Sequence, residues 1–225
     1  MTPSPAPPGS DSARTSASWA AVVPVKPFAR AKSRLAGLGD QARLDLVAAF
    51  AHDTVAALAD SRHVGLVVVV TDESALSRAF AGTGVVAVPE GHGDDLNATL
   101  VQGAAEAGRR RPDLRPLAVC ADLPALTGEA TDLFLGGLPA QGEEWFVTDV
   151  AATGTTTYLA ADLALFAPRF GHGSAQAHRA AGAADVSSSA PEVLRRDVDT
   201  PDDLADAVLL GVGERTRWAV TRHRL

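Results

Sequence analysis

Cysteine is nearly absent from this sequence of 225 residues, in which Cys120 is the single thiol. A lone cysteine cannot form a disulfide within the chain, and a chain of this length buries enough surface to fold without a covalent cross-link. Long apolar runs are also missing, and no segment has the pattern of a secretory signal or a membrane span. We therefore expect a soluble, cytoplasmic protein that does not bind a membrane.

An excess of positive charge is missing as well, because the formal net charge is −7 at pH 7. A nucleic-acid-binding protein would present a basic face, so we do not expect nucleic acid as a partner. The Gly-Lys-Ser/Thr of a P-loop does not occur. Residues 37–42 fit the loose dinucleotide fingerprint, but they follow a charged loop and not a strand, which is the wrong context for nicotinamide binding.

Lysine is the next scarcity, since Lys26 and Lys32 are the only two lysines and every other long basic side chain is an arginine. Both lie in a loop that follows the apolar run at residues 19–23, which predicts a buried strand. The same loop carries Arg30 and Arg34. Compact ammonium groups at a strand end suit a polyphosphate, and an exposed loop with ordinary solubilising charge is the alternative.

What is present is a regular alternation of predicted strands and helices. We predict further strands at residues 64–70, 85–88, 117–120, 145–148 and 193–199. Predicted helices cover residues 40–58, 74–80, 96–110, 129–138, 175–181 and 201–210. This order predicts an α/β three-layer sandwich with a mainly parallel mixed sheet, whose ligands lie beyond the carboxyl ends of the strands.

The composition also suggests a division of the chain. Residues 1–18 are rich in Pro, Ser, Ala and Gly without periodicity, and we predict a disordered leader there. Residues 19–210 form the predicted domain. Residues 211–225 form a polar tail to which the sequence assigns no element.

Three aspartates stand where a cation could bind. Asp122 follows a predicted strand, where a turn or a helix cap is its commonest role. Asp197 and Asp199 alternate along the last predicted strand, so their carboxylates would share one face. Such like charges are costly unless a cation lies between them. Parity also places Arg195 on that face, so a salt-bridged strand is the alternative to a magnesium ion held by carboxylates.

Two segments could bind an anion through hydroxyl and backbone N–H groups. Residues 171–174, Gly-His-Gly-Ser, precede a short predicted helix, and residues 155–157 are three threonines after a glycine. Each signal alone is weak. His172 and His178 have no cysteine or histidine partner at zinc spacing, so we do not expect them to be metal ligands. We expect Cys120 to belong to the core and not to act as a nucleophile.

Six segments, in this order along the chain, resemble one known family: Val-Pro-Val-Lys-Pro at 23–27, Ala-Lys-Ser-Arg-Leu at 31–35, Ala-Asp-Leu-Pro at 121–124, Gly-Thr-Thr at 154–156, Arg-Phe-Gly-His-Gly-Ser at 169–174 and Asp-Val-Asp-Thr-Pro-Asp-Asp-Leu at 197–204. The family comprises the guanylyltransferases that activate a three-carbon phospho-acid with GTP in the biosynthesis of coenzyme F-420. The resemblance implies the glycosyltransferase-A-like nucleotidyltransferase fold. It covers the predicted domain.

The resemblance also implies roles for particular residues. Mg²⁺ would be held by Asp122, Asp197 and Asp199. The phospho-acid would be held by Thr155, Gly171 and Ser174, and the nucleotide by Lys26, Lys32, Arg34 and Asn97. The catalytic residues would be Lys26 and the three aspartates. Asp95 and Ala152 stand where the family more often has glycine.

The implied reaction is attack by the acceptor phosphate on the α-phosphorus of GTP, with pyrophosphate as the leaving group and no general base. We favour phosphoenolpyruvate over 2-phospho-L-lactate, because the Ala- and Arg-rich composition resembles that of actinobacterial family members. Another sugar-phosphate or molybdopterin-type nucleotidyltransferase, and a nucleotide-binding protein without turnover, are the alternatives. A homodimer and handover of the product to the next pathway enzyme are left open.

Overall fold

The computed structural model describes residues 17–28, 32–93 and 95–225, which contain seven strands and seven α-helices. The strands are β1 (Trp19–Pro24), β2 (Val64–Val70), β3 (Val86–Val88), β4 (Arg115–Val119), β5 (Glu144–Thr148), β6 (Thr155–Ala160) and β7 (Ala184–Asp185). The helices are α1 (Asp40–Asp60), α2 (Ser74–Phe80), α3 (Leu96–Arg110), α4 (Gly128–Gly136), α5 (Ser174–Ala180), α6 (Pro201–Leu210) and α7 (Glu214–His223). Arg30 and the predicted leader up to residue 16 lie outside the described residues. None of the helices in the described part is both long and apolar enough to cross a membrane.

The strands form one mixed sheet in the order β3-β2-β1-β4-β6-β5-β7. The β1–β2, β1–β4, β2–β3 and β5–β7 pairs are parallel, whereas β6 is antiparallel to both of its neighbours. Strand β1 lies in the interior of the sheet and its apolar side chains are buried on both faces, as the continuous apolar run predicted. The α/β architecture with a mainly parallel mixed sheet is confirmed.

Helices cover both faces of the sheet. Alternate residues of β1 contribute to two separate apolar cores, one shared with α1, α2 and α4 and the other with α3 and α5. On the second face α3 packs closely against the sheet at Gly103, where a Cβ atom would lie 2.4 Å from Val22 Cγ1 and 2.8 Å from Val70 Cγ2. The three-layer sandwich therefore depends on a residue without a side chain at this crossing.

The predicted strand at residues 193–199 is wrong. This segment contains the end of a short 3₁₀ helix (Glu192–Leu194) followed by irregular chain. The amides of Arg195 and Arg196 bond back to the carbonyl oxygen of Glu192, and Val198 donates to the carbonyl oxygen of Asp122 at 3.0 Å. The apolar residues that suggested a strand are buried in two different clusters, so they do not mark one sheet face.

The segment expected to be a polar tail contains α7, which packs against α1. The carboxylate of the buried Asp53 on α1 accepts hydrogen bonds from the amides of Arg215 at 3.1 Å and Thr216 at 2.8 Å, which caps the start of α7. At the other end, His223 Nε2 lies 2.8 Å from an Asp45 carboxylate oxygen. The buried face of α7 consists of small side chains, so its sequence lacks the apolar periodicity that marks most helices.

Candidate active site

A cleft of about 340 Å³ opens beyond the carboxyl ends of β1 and β4. The two strands are parallel neighbours, so the loops that follow them meet at one edge of the sheet. Apolar side chains from α1 and Leu96 of α3 form part of its wall. Its charged lining consists of Lys26, Lys32, Arg34, Asp122 and Asp199.

Three carboxylates meet at this cleft. One oxygen each of Asp122, Asp197 and Asp199 lies within 4.8 Å of the others. Asp197 and Asp199 share this cluster although the strand that was expected to align them does not exist. What joins the two segments is the hydrogen bond from the amide of Val198 to the carbonyl oxygen of Asp122.

The expected alternative partner of these carboxylates, Arg195, points elsewhere. Its guanidinium donates to the carbonyl oxygens of Thr148 at 3.1 Å and Asp149 at 3.0 Å. Because residues 193–199 do not form a strand, Arg195 does not share a face with the two carboxylates, and the expected salt-bridged strand is wrong. Arg195 instead fixes the irregular segment to the end of β5.

The acidic cluster is electrostatically unfavourable without a cation. Burial of the Asp197 carboxyl group, together with the negative charge of Asp122, raises the pKa of Asp197 to about 7. Among the described residues, no hydrogen-bond partner is found for the buried Oδ1 atom of Asp122. An unpaired carboxylate oxygen beside two further carboxylates is a donor set that fits a hard divalent cation.

Lys32 donates hydrogen bonds to two of the three carboxylates, to Asp122 Oδ2 and to Asp199 Oδ1, the second at 2.5 Å. Burial alone would lower the pKa of Lys32, but the two negative charges outweigh it and hold that pKa above its usual value. Its backbone φ of +54° lies in the left-handed region, which non-glycine residues adopt when surrounding contacts hold them there. The exposed Arg34 lies 3.8 Å from Asp199. Positive charge is therefore concentrated at the acidic cluster of an acidic protein.

Two side chains outside the cleft hold the acidic segments in place. The hydroxyl of Thr54 on α1 donates to the carbonyl oxygen of Ala121 at 3.3 Å and accepts from the amide of Leu123 at 3.1 Å, on either side of Asp122. The carboxylate of Asp203 accepts from the amides of Asp199 at 3.2 Å and Thr200 at 2.9 Å. Thr200 in turn caps α6, so helix capping and the position of Asp199 are coupled.

The residues expected to bind the acceptor lie at the start of β6 and of α5. Thr155 Oγ1 lies 3.1 Å from Nδ1 of the buried His178, and the same nitrogen lies 2.9 Å from the carbonyl oxygen of Ser174. Gly171, with a φ of +130°, makes the turn that leads into α5, and its carbonyl oxygen accepts from the amide of Ser174. Thr155, Gly171 and Ser174 are thus neighbours through one imidazole and one turn.

In the structure, Asn97 lies with the residues expected to bind the acceptor, which form the second group of site residues. Its amide nitrogen donates to the carbonyl oxygen of Phe170 at 3.0 Å, and its amide oxygen accepts from the Phe170 amide at 2.8 Å. Both ends of the side chain are therefore engaged by the loop that carries Gly171. Its neighbour Leu96 lines the cleft. Asp95, which stands where the resemblance led us to expect glycine, caps α3 through the amides of Asn97 and Ala98.

Comparison with known proteins shows the family of the chain that carries this site. Residues 19–222 match the model of the family described as "Guanylyl transferase CofC like". The chain belongs to this family. A guanylyltransferase of this family transfers a nucleotidyl group. The cleft, the acidic cluster and the basic loop are therefore the candidate site for that reaction.

Similar proteins extend over nearly the whole of this CofC-like chain. The "Phosphoenolpyruvate guanylyltransferase" of Streptomyces scabiei is 47% identical over 210 residues, which cover 91% of this chain and 96% of that protein. The protein of the same name from Streptomyces coelicolor is 42% identical, with the same coverage of 91% and 96%. The one from Thermomonospora curvata is 41% identical and covers 91% of this chain and 89% of that protein.

Solved structures of low sequence identity share this fold. A nucleotidyl transferase from Methanothermobacter superposes with a TM-score of 0.59 at 18% identity and covers 86% of this chain and 97% of that one. The 4-diphosphocytidyl-2C-methyl-D-erythritol synthase superposes with a TM-score of 0.56 at 16% identity and covers 86% and 98%. The nucleotidyltransferase fold expected from the sequence is confirmed.

In this CofC-like chain, the sequence did not identify the residues that hold other side chains of the site in position. Thr54 lies inside a helix with nothing nearby to mark it, and Asp53 beside it looks like an ordinary surface acid. His178 did carry a signal, because it lies four residues after Ser174 and therefore on the same side of a short helix. The sequence excludes zinc spacing for this histidine but does not show that the imidazole is buried against Thr155.

Proposed function

We propose that this guanylyltransferase transfers GMP from GTP to the phosphate of phosphoenolpyruvate and releases pyrophosphate, as a step in coenzyme F-420 biosynthesis. The names of the relatives in two Streptomyces species and Thermomonospora support phosphoenolpyruvate as the acceptor. The observation that carries the proposal is the meeting of three carboxylates with two lysines at one cleft. 2-Phospho-L-lactate, which differs at carbon two, is the competing acceptor.

The residues present fit a magnesium ion, as the unpaired oxygen of Asp122 and the raised pKa of Asp197 indicate. Asp122, Asp197 and Asp199 would hold it. When bound, the ion would neutralise charge on the phosphates of both substrates, whose mutual repulsion is a large part of the barrier.

The chain's own cations act on the nucleotide. Lys26 and Arg34 lie on the cleft wall, where they attract the triphosphate and stabilise the negative charge that develops on pyrophosphate. Lys32 forms ion pairs with Asp122 and Asp199 and adds a further positive charge to the wall of the cleft. An acceptor phosphate oxygen forms the new bond to the α-phosphorus, and the bond from this phosphorus to the bridging oxygen of the β-phosphate breaks. The acceptor is ionised near neutral pH, so no side chain has to remove a proton.

The second group of residues positions the acceptor. The hydroxyls of Thr155 and Ser174 and the turn at Gly171 provide hydrogen-bond donors for a carboxylate and a phosphate. Because the reaction needs alignment and no covalent enzyme intermediate, these contacts contribute by holding the attacking oxygen in line with the leaving group.

The proposal is tested by incubating the protein with GTP, magnesium and each phospho-acid, and by measuring pyrophosphate release and the mass of the product. We expect release with phosphoenolpyruvate and a product equal in mass to the GMP anhydride of the acceptor. Release only with 2-phospho-L-lactate or a sugar phosphate would change the acceptor. GTP binding without release under any of these conditions would identify a binding protein and contradict the proposal.

Asp197→Asn tests the role of the acidic cluster within this reaction. We expect turnover to fall about a hundredfold or more, because one charged ligand of the cation is lost. Asp202→Asn is the matched control, since Asp202 is an exposed acid at the start of α6 outside the cleft. Comparable rates for wild type and Asp197→Asn would remove this carboxylate from the mechanism.

A further inference from the structure

His178 is a completely buried imidazole beneath the residues proposed to bind the acceptor. Its ring stacks against Phe146, with centroids 5.4 Å apart, and against Tyr158, with centroids 4.8 Å apart. Phe170 packs edge-on against it at 5.6 Å. Three aromatic rings thus fix the plane of the imidazole. Its two ring nitrogens remain for hydrogen bonds.

The partner of Nε2 determines which nitrogen carries the proton. The backbone amide of Arg169 donates to Nε2 at 3.0 Å. A backbone amide can only donate, so Nε2 is an acceptor without a hydrogen. Burial lowers the pKa of His178 to about 4, so the ring is neutral at neutral pH. The proton of the neutral ring is therefore on Nδ1.

The Nδ1 proton has two acceptors, the carbonyl oxygen of Ser174 at 2.9 Å and the hydroxyl oxygen of Thr155 at 3.1 Å. Thr155 therefore accepts from the imidazole and cannot donate to it. Among the described residues, no other acceptor is found for the Thr155 hydroxyl proton. The hydroxyl proton therefore points away from Nδ1 and is available to a bound ligand.

An irregularity in the sheet brings Thr155 to this position. Val147 on β5 pairs with Thr157, and the next residue, Thr148, pairs with Thr155, so Thr156 has no partner on β5. Regular alternation would put Thr155 on the same face as Thr157, whereas the bulge places it on the face of Tyr158 and His178. Bulges beside active sites commonly redirect a side chain in this way.

We propose that His178 is a positioning residue for the acceptor, because its Nδ1–H group holds the Thr155 hydroxyl as an acceptor and thereby directs the hydroxyl proton to an anionic oxygen of the three-carbon phospho-acid. The same N–H group binds the carbonyl oxygen of Ser174 and so holds the turn that presents Gly171. This inference rests on the proposed function. It adds the residue that determines the direction of the hydrogen bond from the acceptor site to the phospho-acid.

The kinetic test is a double-mutant cycle between His178→Phe, which keeps the ring packing, and Thr155→Val, which removes the hydroxyl. We expect each single variant to raise the KM for phosphoenolpyruvate about tenfold, and the double variant to raise it little further, because both remove the same hydrogen bond. The KM for GTP should stay within about twofold of wild type. Thr155→Ser, which restores the hydroxyl, should recover most of the loss seen with Thr155→Val.

The control is His52→Phe, which replaces a half-buried histidine that packs against Phe80 and lines a separate cavity. It should leave both KM values unchanged. Multiplicative effects in the double variant, or equal increases in the KM for GTP and for phosphoenolpyruvate, would overturn the inference in favour of a purely structural role for His178.

A spectroscopic test needs no active variant. The ¹⁵N spectrum of the wild-type imidazoles should contain a neutral histidine protonated on Nδ1 at neutral pH, assigned by its loss in His178→Phe, or in His178→Gln if the first variant does not fold. A neutral ring protonated on Nε2, or an imidazolium, would overturn the inference even in an active guanylyltransferase. The Nδ1–H form in a protein that releases no pyrophosphate would contradict the proposed function alone.

Discussion

His178 is neutral in the folded protein, and this links its stability to pH. The pKa of about 4 in the folded state lies below the value of about 6.5 expected for the unfolded chain. Between these values the unfolded chain binds a proton that the folded protein does not, so stability falls as the pH is lowered through this window. We expect wild type to lose up to about 3 kcal/mol more than His178→Phe between about pH 7 and about pH 4, measured by urea denaturation without metal. Parallel pH profiles for the two proteins would show that the folded state holds a charged imidazole.

Thr54 is the second buried residue that holds a segment of the site in place through hydrogen bonds. Thr54→Val keeps the shape of the side chain but leaves the amide of Leu123 without its partner, at a cost of about 1–3 kcal/mol in the free energy of unfolding. Because the lost bonds bracket Asp122, we also expect a weaker affinity for magnesium, measured by the metal dependence of turnover and by calorimetric titration. Thr131→Val is the matched control, since this buried hydroxyl bonds only to the carbonyl oxygen of Thr127, the N-cap of its own helix. Equal effects of both variants on magnesium affinity would contradict a specific role for Thr54.

The sequence could identify residues that would touch a ligand, but not residues that act through others. Asp197 and Asp199 are singled out in the sequence because two like charges on one face are costly unless a cation lies between them, and the family resemblance adds Asp122. Thr54 and His178 are buried and fully bonded, so neither has such a cost to reveal it, and the spacing of His178 from Ser174 indicates only a shared side of a helix. Their partners are 69 and 23 residues away along the chain, a distance that only the fold closes.

At the scale of elements, the contact between α3 and β1 depends on Gly103. Gly103→Ala would improve intrinsic helix propensity by about 1 kcal/mol, but its Cβ would overlap side chains of β1 and β2 that are themselves fully packed. We expect a net loss of about 1–3 kcal/mol in the free energy of unfolding, measured by urea denaturation.

Gly108→Ala on the same helix is the control for Gly103→Ala. The new Cβ there would meet only the end of the partly exposed Leu163 side chain, which can move. This variant should be neutral or slightly stabilising. A destabilisation of equal size in both variants would indicate that flexibility of α3, and not its closeness to the sheet, determines the effect.

Elements with a strong period were predicted within about two residues, and the failures have a physical cause. Residues 193–199 place Leu194 and Val198 four apart, on the same face of a strand if one formed, but the two side chains are buried in two different apolar clusters and so do not mark one strand face. Strand β6 was missed because threonines beside a glycine indicate a loop as readily as a strand. Helix α7 was missed because its buried side is made of Thr216 and Ala219.

At the scale of the whole molecule, a third apolar cluster joins the two halves of the active site. It contains Leu35, next to Arg34 of the basic loop, and Val198, which lies between two of the clustered aspartates. Residues of α1 and α6 complete it, and Ala219 of α7 closes it from outside. The segment that looked like a tail therefore supports both the basic and the acidic wall of the cleft.

This arrangement predicts that a change far from the cleft affects both stability and catalysis. Ala219→Asp would put an unpaired charge into the third cluster, and we expect a loss of about 3 kcal/mol or more in the free energy of unfolding. Because Leu35 and Val198 share that cluster, turnover of the fraction that remains folded should also fall, measured at low temperature, where this fraction is large. Trp218→Ala is the control on the same helix: Trp218 is 54% exposed whereas Ala219 is 0% exposed, so its loss should change stability by no more than about 0.5 kcal/mol. Normal turnover in folded Ala219→Asp would show that the cleft holds its shape without α7, and that the C-terminal helix contributes to stability alone.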